Sequence, residues 1–247
     1  MDFANYWFSA TGSASDLGDE INQSLRFRGG QSLDVTSTLG AGEDNQTLSF
    51  WFKRGDGFSS SGGSYYLVNN TQSGGGTGTC EMTLTEHSGA ITLQHVSTVS
   101  TATGRYRDPS AWYHIVYQCT SSGSKLFINN TEVISSNDFK KLVSGLFRIG
   151  KFNTGSFMMG YMADMWAVDG QALSPSSFAR TNGDGVWVPK DYTGSVGTNG
   201  FHLTFNSTQA NGIGHDSSAN SNHFTASGFD TAAISSSNED NDINYND

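Results

Sequence analysis

The run Gly160-Tyr-Met-Ala-Asp-Met-Trp-Ala-Val-Asp-Gly-Gln-Ala-Leu-Ser-Pro175 decides the fold, because it lays out a strand, a tight turn and a helix start in succession. From Tyr161 to Val168 the residues are apolar or small except Asp164, which predicts a strand buried over most of its length. Asp169-Gly170 predicts a turn. Ser174 followed by Pro175 is typical of an N-cap with proline in the first helical position, so a short helical turn is predicted through Phe178.

Strand patterns recur on the N-terminal side of this run, at Leu25 to Val35, Leu48 to Lys53, Trp112 to Tyr117, Lys125 to Asn129 and Phe147 to Gly150. Together and in this order, the segments resemble the motifs of a laminin G-like domain of the concanavalin A-like jelly-roll superfamily. The resemblance implies an all-β fold, an antiparallel β-sandwich jelly roll. Composition agrees, since 30 glycines and a hydrophobic content of 35% are typical of many short strands joined by frequent turns.

A narrower resemblance lies in three other parts of the chain. Arg107 to His114, Asp169 to Phe178, and Gly185 to Lys190 followed by Gly200 to Phe205 are similar to domains encoded by tailed bacteriophages, many of them marine. Those domains are carried by virion structural proteins such as fibres and other appendages. The resemblance implies a protein located in the virion and made in the host cytoplasm.

The sequence divides into an N-terminal arm over residues 1–20, one jelly-roll domain over 21–229 and an acidic tail over 230–247. In laminin G-like domains a strand like Phe201 to Phe205 usually opens the domain, whereas here it comes late in the chain. We therefore expect a circularly permuted order, in which this strand completes the sheet alongside Leu25 to Val35. The alternative, a truncated second repeat, leaves too few and too polar residues after it.

Charge and hydropathy exclude two classes of partner. The net charge is -10 with a pI near 4.8, and the thirteen Lys and Arg residues are scattered along the sequence, which argues against a nucleic-acid surface. No apolar run approaches the roughly 20 residues that span a bilayer, and no leader pattern opens the sequence. We expect no membrane insertion.

Enzyme signals are weak in this sequence. Glucanases on this scaffold place two carboxylates on one face of the sheet, about 5 Å apart in retaining enzymes. Glu81 and Glu86 are the close pair of glutamates, but their odd spacing puts them on opposite faces of a strand. The prediction is that the chain has no catalytic residues and is not an enzyme.

A polar loop near the end of the domain offers oxygen ligands for a metal. Asp216, Asn220 and Asn222 are evenly spaced, and calcium favours such donors. Relatives often carry a structural calcium near this motif, and the resemblance makes Asp164 a further ligand. The alternative is a set of Asx turns without a metal. The prediction is thus no cofactor or a structural calcium ion.

Aromatic residues at one end and the acidic tail at the other are candidate partner contacts. Phe3, Tyr6, Trp7 and Phe8 form a cluster that would be a costly exposed patch in water. Ile243 and Tyr245 could anchor the tail on a neighbouring subunit. Alternatives are that the aromatics fold back onto their own sheet and that the tail is solvated and disordered.

The two cysteines, Cys80 and Cys119, lie in strand patterns without the spacing of a zinc site. We interpret them as small apolar residues in strands, with a disulfide across the sheet as the lesser option.

The function that these features indicate is a non-enzymatic structural protein of a tailed-phage virion, either a head decoration or a fibre or appendage subunit. Its partners would be other virion proteins and further copies of itself, and its surface could bind host glycans. A stand-alone carbohydrate-binding lectin is the alternative, and a glycosidase is a weaker one.

Overall fold

The computed structural model describes residues 19, 21–39, 44–55, 63–72, 79–85, 88–95, 98–137, 141–152 and 155–229, together with the backbone of 243–245. Nearly all regular structure in these residues is β-strand. The strands, in chain order, are β1 Gln23–Arg28, β2 Ser32–Ser37, β3 Gln46–Arg54, β4 Ser64–Gln72, β5 Thr79–Thr85, β6 Ile91–His95, β7 Thr98–Thr101, β8 Trp112–Thr120, β9 Gly123–Ile128, β10 Thr131–Ser136, β11 Gly145–Ile149, β12 Met159–Asp169, β13 Ala179–Thr181, β14 Trp187–Pro189, β15 Phe201–Leu203, β16 Thr225–Ser227 and β17 Ile243–Tyr245.

Two antiparallel sheets make up the sandwich. Sheet A has the order β10-β9-β8-β3-β12-β1-β17, and β15 also pairs with β12. Sheet B has the order β16-β2-β11-β4-β5-β6-β7. The predicted all-β antiparallel sandwich is confirmed. Among the described residues, no helix has the length and hydropathy of a membrane span.

The main core lies between the sheets and follows the two-residue period of the strands. Leu48, Phe50 and Phe52 of β3 are at most 1% exposed, as are Phe147 and Ile149 of β11. All five belong to one apolar cluster. Burying each such side chain contributes about 1.5–3 kcal/mol.

Sheet A is also covered on its outer face, by the chain from residue 170 to 200. Here the predicted helical turn is confirmed as a 3-10 helix over Pro175–Ser177, with Ser174 in the N-cap position but no capping hydrogen bond from its side chain. Phe178, which follows the helix, packs in a cluster with Trp166 and Val168 of β12. The central strand β12 is therefore buried on both faces, which is why its sequence is an almost unbroken apolar run.

A buried histidine lies in this outer layer. The His114 ring stacks on Trp51, with 4.8 Å between ring centroids. Its Nδ1 accepts a hydrogen bond from Trp187 Nε1 at 3.1 Å, and its Nε2 lies 2.9 Å from Ser49 Oγ. Because Nδ1 is an acceptor, the proton is on Nε2, which donates to Ser49. Burial lowers the pKa of His114 to about 3.

The pairing of β15 corrects one sequence prediction. β15 joins sheet A, but its partner is β12, with Ala167 opposite Phe201 and Met165 opposite Leu203, rather than the chain from Leu25 to Val35. The ladder of β12 shifts register between Ala163 and Trp166. β1 pairs with β12 only before this bulge, so the edge beyond it is open to β15. Of the strands that follow β15, the one that pairs with β2 is β16.

Both cysteines are free thiols buried in strands, as expected, with Cys80 in β5 and Cys119 in β8. The N-terminal aromatics Phe3, Tyr6, Trp7 and Phe8 lie outside the described residues. In the acidic tail, the backbone of Ile243–Tyr245 forms β17 and pairs with β1. The partner contacts predicted for these residues stay predictions.

Candidate functional site

A row of polar side chains crosses the outer face of sheet B. Strand register places Asp34, Arg148, Asn69, Glu81 and Gln94 side by side on β2, β11, β4, β5 and β6. Each of the five is next in its strand to a residue of the apolar core, namely Leu33, Phe147, Val68, Met82 or Leu93, so these five point away from the core. We call this set the polar row.

Hydrogen bonds cross-link the polar row. Arg148 Nη1 donates to Asn69 Oδ1 at 2.9 Å and to Thr71 Oγ1 at 2.8 Å. Asn69 Nδ2 in turn donates to Glu81 Oε1 at 3.3 Å. Because Asn69 is fully buried, these bonds are shielded from water and hold the side chains in one arrangement.

The carboxyl group of Glu81 lies in a low-dielectric setting. Burial raises its pKa, and a hydrogen bond from the Tyr66 hydroxyl opposes part of that rise. The pKa of Tyr66 is raised as well, first by burial and then by the charge of Glu81. The Tyr66 hydroxyl and the Glu81 carboxyl group thus form a hydrogen-bonded pair within the polar row.

At the other end of the row, Lys151 Nζ contacts Asp34 Oδ2 at 2.7 Å. At this end of the row, donors and acceptors thus alternate in the order Lys151, Asp34 and Arg148, since a carboxylate only accepts and an ammonium or guanidinium group only donates. Ligand hydroxyl groups, which do both, match such an alternation.

An aromatic pair borders the polar row. The rings of Tyr66 and Phe152 stack with 4.6 Å between centroids and 26° between planes. Phe152 is 36% exposed, which is unusual for phenylalanine in a well-packed chain. A flat apolar surface beside a network of donors and acceptors is a common composition of a small-molecule site.

Two carboxylates of this face, Asp34 and Glu81, are separated by the intervening strands β11 and β4. Three strand spacings amount to about 14 Å between their backbones. The carboxylates of glycosidases are about 5–5.5 Å apart in retaining enzymes and about 6.5–9.5 Å apart in inverting ones. At this separation Asp34 and Glu81 do not form a glycosidase pair of either kind.

The structure places the predicted metal ligand Asp216 in a buried turn. Its Oδ1 accepts hydrogen bonds from the backbone N–H groups of His202 and Ser218, each at 2.9 Å, and its Oδ2 accepts one from Asn222 N at 2.8 Å. The Ser218 contact is an Asx turn. Backbone donors therefore engage both oxygens of the carboxylate.

Asn220 and Asn222 use their amides to tie the same loop to the chain around residues 197–200. Nδ2 of Asn220 donates to the carbonyl oxygens of Gly197 and Gly200 at 2.7 and 2.9 Å. Nδ2 of Asn222 also donates to Gly200 O at 2.9 Å. Both amide groups therefore act as hydrogen-bond donors to the backbone in these contacts, and the calcium ion stays a prediction.

Asp164, the fourth predicted ligand, makes other contacts. Its Oδ2 accepts from Trp166 Nε1 at 3.0 Å, and its Oδ1 lies 2.7 Å from His202 Nε2. The His202 ring stacks on Trp166 with 3.4 Å between centroids. Asp164 has φ 46° at the bulge of β12, so these contacts hold the strand where its ladder is interrupted. Among the described residues, no group of three or more His, Cys, Asp and Glu could hold a metal ion.

Sequence reasoning missed the polar row. Arg148 alternates with Phe147 and Ile149 in a strand that it did identify, and this alternation marks Arg148 as pointing away from the core. The signal could have indicated a polar face, but it could not have shown which residues of other strands lie beside Arg148.

Comparison with known proteins gives the family. Residues 27–179 match a laminin G-type family model described as the concanavalin A-like lectin/glucanases superfamily. None of the curated proteins compared with the chain matches it.

Solved structures with a similar fold include a candidate carbohydrate binding protein from Bacteroides ovatus, with a TM-score of 0.60 and 12% identity over 85% of this chain. A sialidase from Trypanosoma rangeli gives a TM-score of 0.44 at 13% identity over 53% of this chain. The chain spans 59% of the Bacteroides protein and 21% of that sialidase. The family match covers more than half of the sequence, and the chain belongs to the concanavalin A-like lectin/glucanase superfamily as a laminin G-like member.

Proposed function

We propose that this chain is a non-enzymatic carbohydrate-binding domain whose ligand lies across the polar row and packs on the Tyr66–Phe152 pair. The observation that carries the proposal is the cross-linked network of Arg148, Asn69 and Glu81 beside an aromatic stack in which Phe152 is partly exposed. Such a network fixes donors and acceptors before the ligand arrives, which lowers the entropy cost of binding. The name of the Bacteroides protein, which shares the fold, is in keeping with this function.

We further propose that the domain acts as a structural subunit in the virion of a tailed bacteriophage, as a head decoration or an appendage. The support is the resemblance of Arg107 to His114, Asp169 to Phe178 and Gly185 to Phe205 to domains of such virion proteins. In that setting the polar row faces host glycans while other surfaces contact virion proteins or further copies of the chain.

Glycan binding is tested with a saccharide array followed by titration calorimetry on the best ligand. Phe152→Ala removes the exposed ring and should weaken binding about tenfold, because an aromatic contact contributes about 0.5–1.5 kcal/mol beyond its buried area. Val186→Ala is the matched control, since Val186 is 47% exposed and lies in the layer over sheet A. Equal loss in both variants, or no ligand on the array, would contradict the proposal.

The non-enzymatic role predicts that purified protein does not cleave polysaccharides. Product release from a panel of β-glucan, alginate and capsular polysaccharides, lost in Glu81→Gln, would overturn it. The virion role predicts that the chain is found in purified particles, with density of defined symmetry in electron micrographs. Its recovery only in the particle-free fraction would favour the stand-alone lectin.

A further inference from the structure

A second row of side chains crosses sheet A at the end of the sandwich where β1 and β3 finish and β8 and β12 begin. Strand register places Arg26, Tyr161, Lys53 and Trp112 side by side on β1, β12, β3 and β8. Their neighbours in the strands, such as Phe52, are buried in the core, so the row points away from it. Cations and aromatic rings alternate along this row.

The aromatic rings hold the cations without neutralising them. Lys53 Nζ lies 5.2 Å from the centroid of the Tyr161 ring and 5.9 Å from that of Trp112. The Arg26 guanidinium carbon lies 5.6 Å from the same Tyr161 centroid. A ring face attracts a cation but carries no net charge, so the positive charges remain available to a ligand.

An open cleft of about 610 Å³ lies beside this row, and Arg28 and Arg54 also line it. We call it the basic cleft. Its floor is backbone at Gly160, where φ is 143° and a side chain would collide with the Lys53 carbonyl oxygen. The volume is within the range of about 300–1,000 Å³ typical of small-ligand sites.

The basic cleft differs in charge from the rest of the molecule. Four of the thirteen Lys and Arg residues line it in a chain of net charge -10. None of the ion pairs between described residues involves Arg26 or Lys53. Asp108, next to the lining residue Ser110, is engaged by it, since Asp108 Oδ1 accepts from Ser110 N at 2.8 Å and from Ser110 Oγ at 2.6 Å. Like charges held together in this way favour an anion between them.

We propose that the basic cleft binds an acidic saccharide, with its anionic group paired to Arg26 and Lys53 and its sugar ring against Tyr161. Such a ligand uses both the cations and an aromatic ring of the row. An inorganic anion would make no use of the ring, and a neutral sugar would make no use of the cations. A nucleic acid is less suited, since its further phosphates would meet a surface of net negative charge. The inference does not rest on the polar row, which lies on the other sheet.

The test uses trigalacturonate as the carboxylate probe, a heparin-derived disaccharide as the sulfate probe, and the methyl ester of trigalacturonate as the uncharged control. Calorimetry should show that one of the two acidic probes binds, more weakly as sodium chloride is raised, and that the ester does not. Which probe binds distinguishes carboxylate from sulfate recognition.

Variants then locate the site. Arg26→Gln and Lys53→Gln should each weaken binding of the acidic probe about tenfold or more, since a hydrogen bond to a charged group contributes about 1.5–3 kcal/mol. Lys125→Gln removes the same charge from a residue on β9, outside the cleft, and should bind like the wild type. Phe152→Ala should also keep its affinity for the acidic probe, which separates this site from the polar row. Thermal melts of every variant establish that it is folded.

Three outcomes would overturn the proposal. They are binding of the ester as tight as that of trigalacturonate, unchanged affinity in the double variant of Arg26 and Lys53, and absence of binding by both acidic probes. Displacement of the bound saccharide by a short single-stranded oligonucleotide of higher affinity would assign the cleft to nucleic acid instead.

Discussion

Acidification should destabilise the protein through His114, and the size of the effect can be calculated. The unperturbed pKa of histidine is about 6.5, and burial lowers the pKa of His114 to about 3. Between these values the unfolded chain binds a proton at this position and the folded chain does not. The free energy of unfolding therefore rises with pH across this window and falls as the pH drops below about 6.5.

From pH 7 to pH 5 the predicted loss from this one group is about 2 kcal/mol, from the two pKa values. For a domain of this size the loss corresponds to about 4–8 °C in Tm. Urea unfolding at both pH values, followed by tryptophan fluorescence, measures it. Other titrating groups also contribute, so the test is the difference between wild type and His114→Gln.

In His114→Gln the pH dependence between 7 and 5 should be smaller by about 2 kcal/mol, although the variant is less stable at pH 7 because Trp187 and Ser49 lose their partner. Ser49→Ala is the matched control. It removes a hydrogen bond but leaves the buried imidazole, so it should lower stability at both pH values and keep the wild-type slope. Parallel curves for wild type and His114→Gln would refute the reasoning.

Three other predictions concern the stability of the domain. Asp216→Ala should lower the free energy of unfolding by several kcal/mol, since three backbone N–H groups lose their acceptor at about 1–3 kcal/mol each. If calcium binds at Asp216, a chelator should also lower the Tm of the wild type but not that of the variant. Gly200→Ala should cost about 1–3 kcal/mol or more in urea unfolding, because its Cβ would collide with two backbone carbonyl groups, whereas Gly30→Ala has open space and should be neutral. Cys80 and Cys119 should react with a thiol reagent only in denaturant, and reaction of either in the folded protein as fast as in the denatured protein would contradict their burial.

The sequence was sufficient for the elements whose pattern is set by burial. The strand around Met162 and the helical turn at Pro175 were predicted because continuous burial and proline at the first helical position leave direct traces in the local sequence. The predicted partner of β15 was wrong. The bulge at Asp164 leaves the edge of β12 open to β15, and this bulge depends on backbone conformation rather than on residue type.

Neither side-chain row could have been predicted from one sequence. Arg26 and Lys53 look like two scattered cations, and Tyr161, more than a hundred residues later, lies between them only because β12 inserts between β1 and β3. Local pattern gives the face of a strand to which a residue belongs, but register between distant strands sets its neighbours. Candidate sites formed by side chains of several strands can therefore be identified only from the structure.

The insertion of β12 between β1 and β3 also bears on how the protein is made. Sheet A needs Met159–Asp169 at its centre, so the two strands synthesised early leave the ribosome without the neighbour that joins them. At about 5–20 residues per second, the interval between the end of β3 and the end of β12 is roughly 6–23 s. During that time apolar strands with open edges are exposed to other nascent chains, a situation that promotes aggregation. Slower initiation at low temperature, which spaces ribosomes on the message, should therefore raise the soluble yield of this protein.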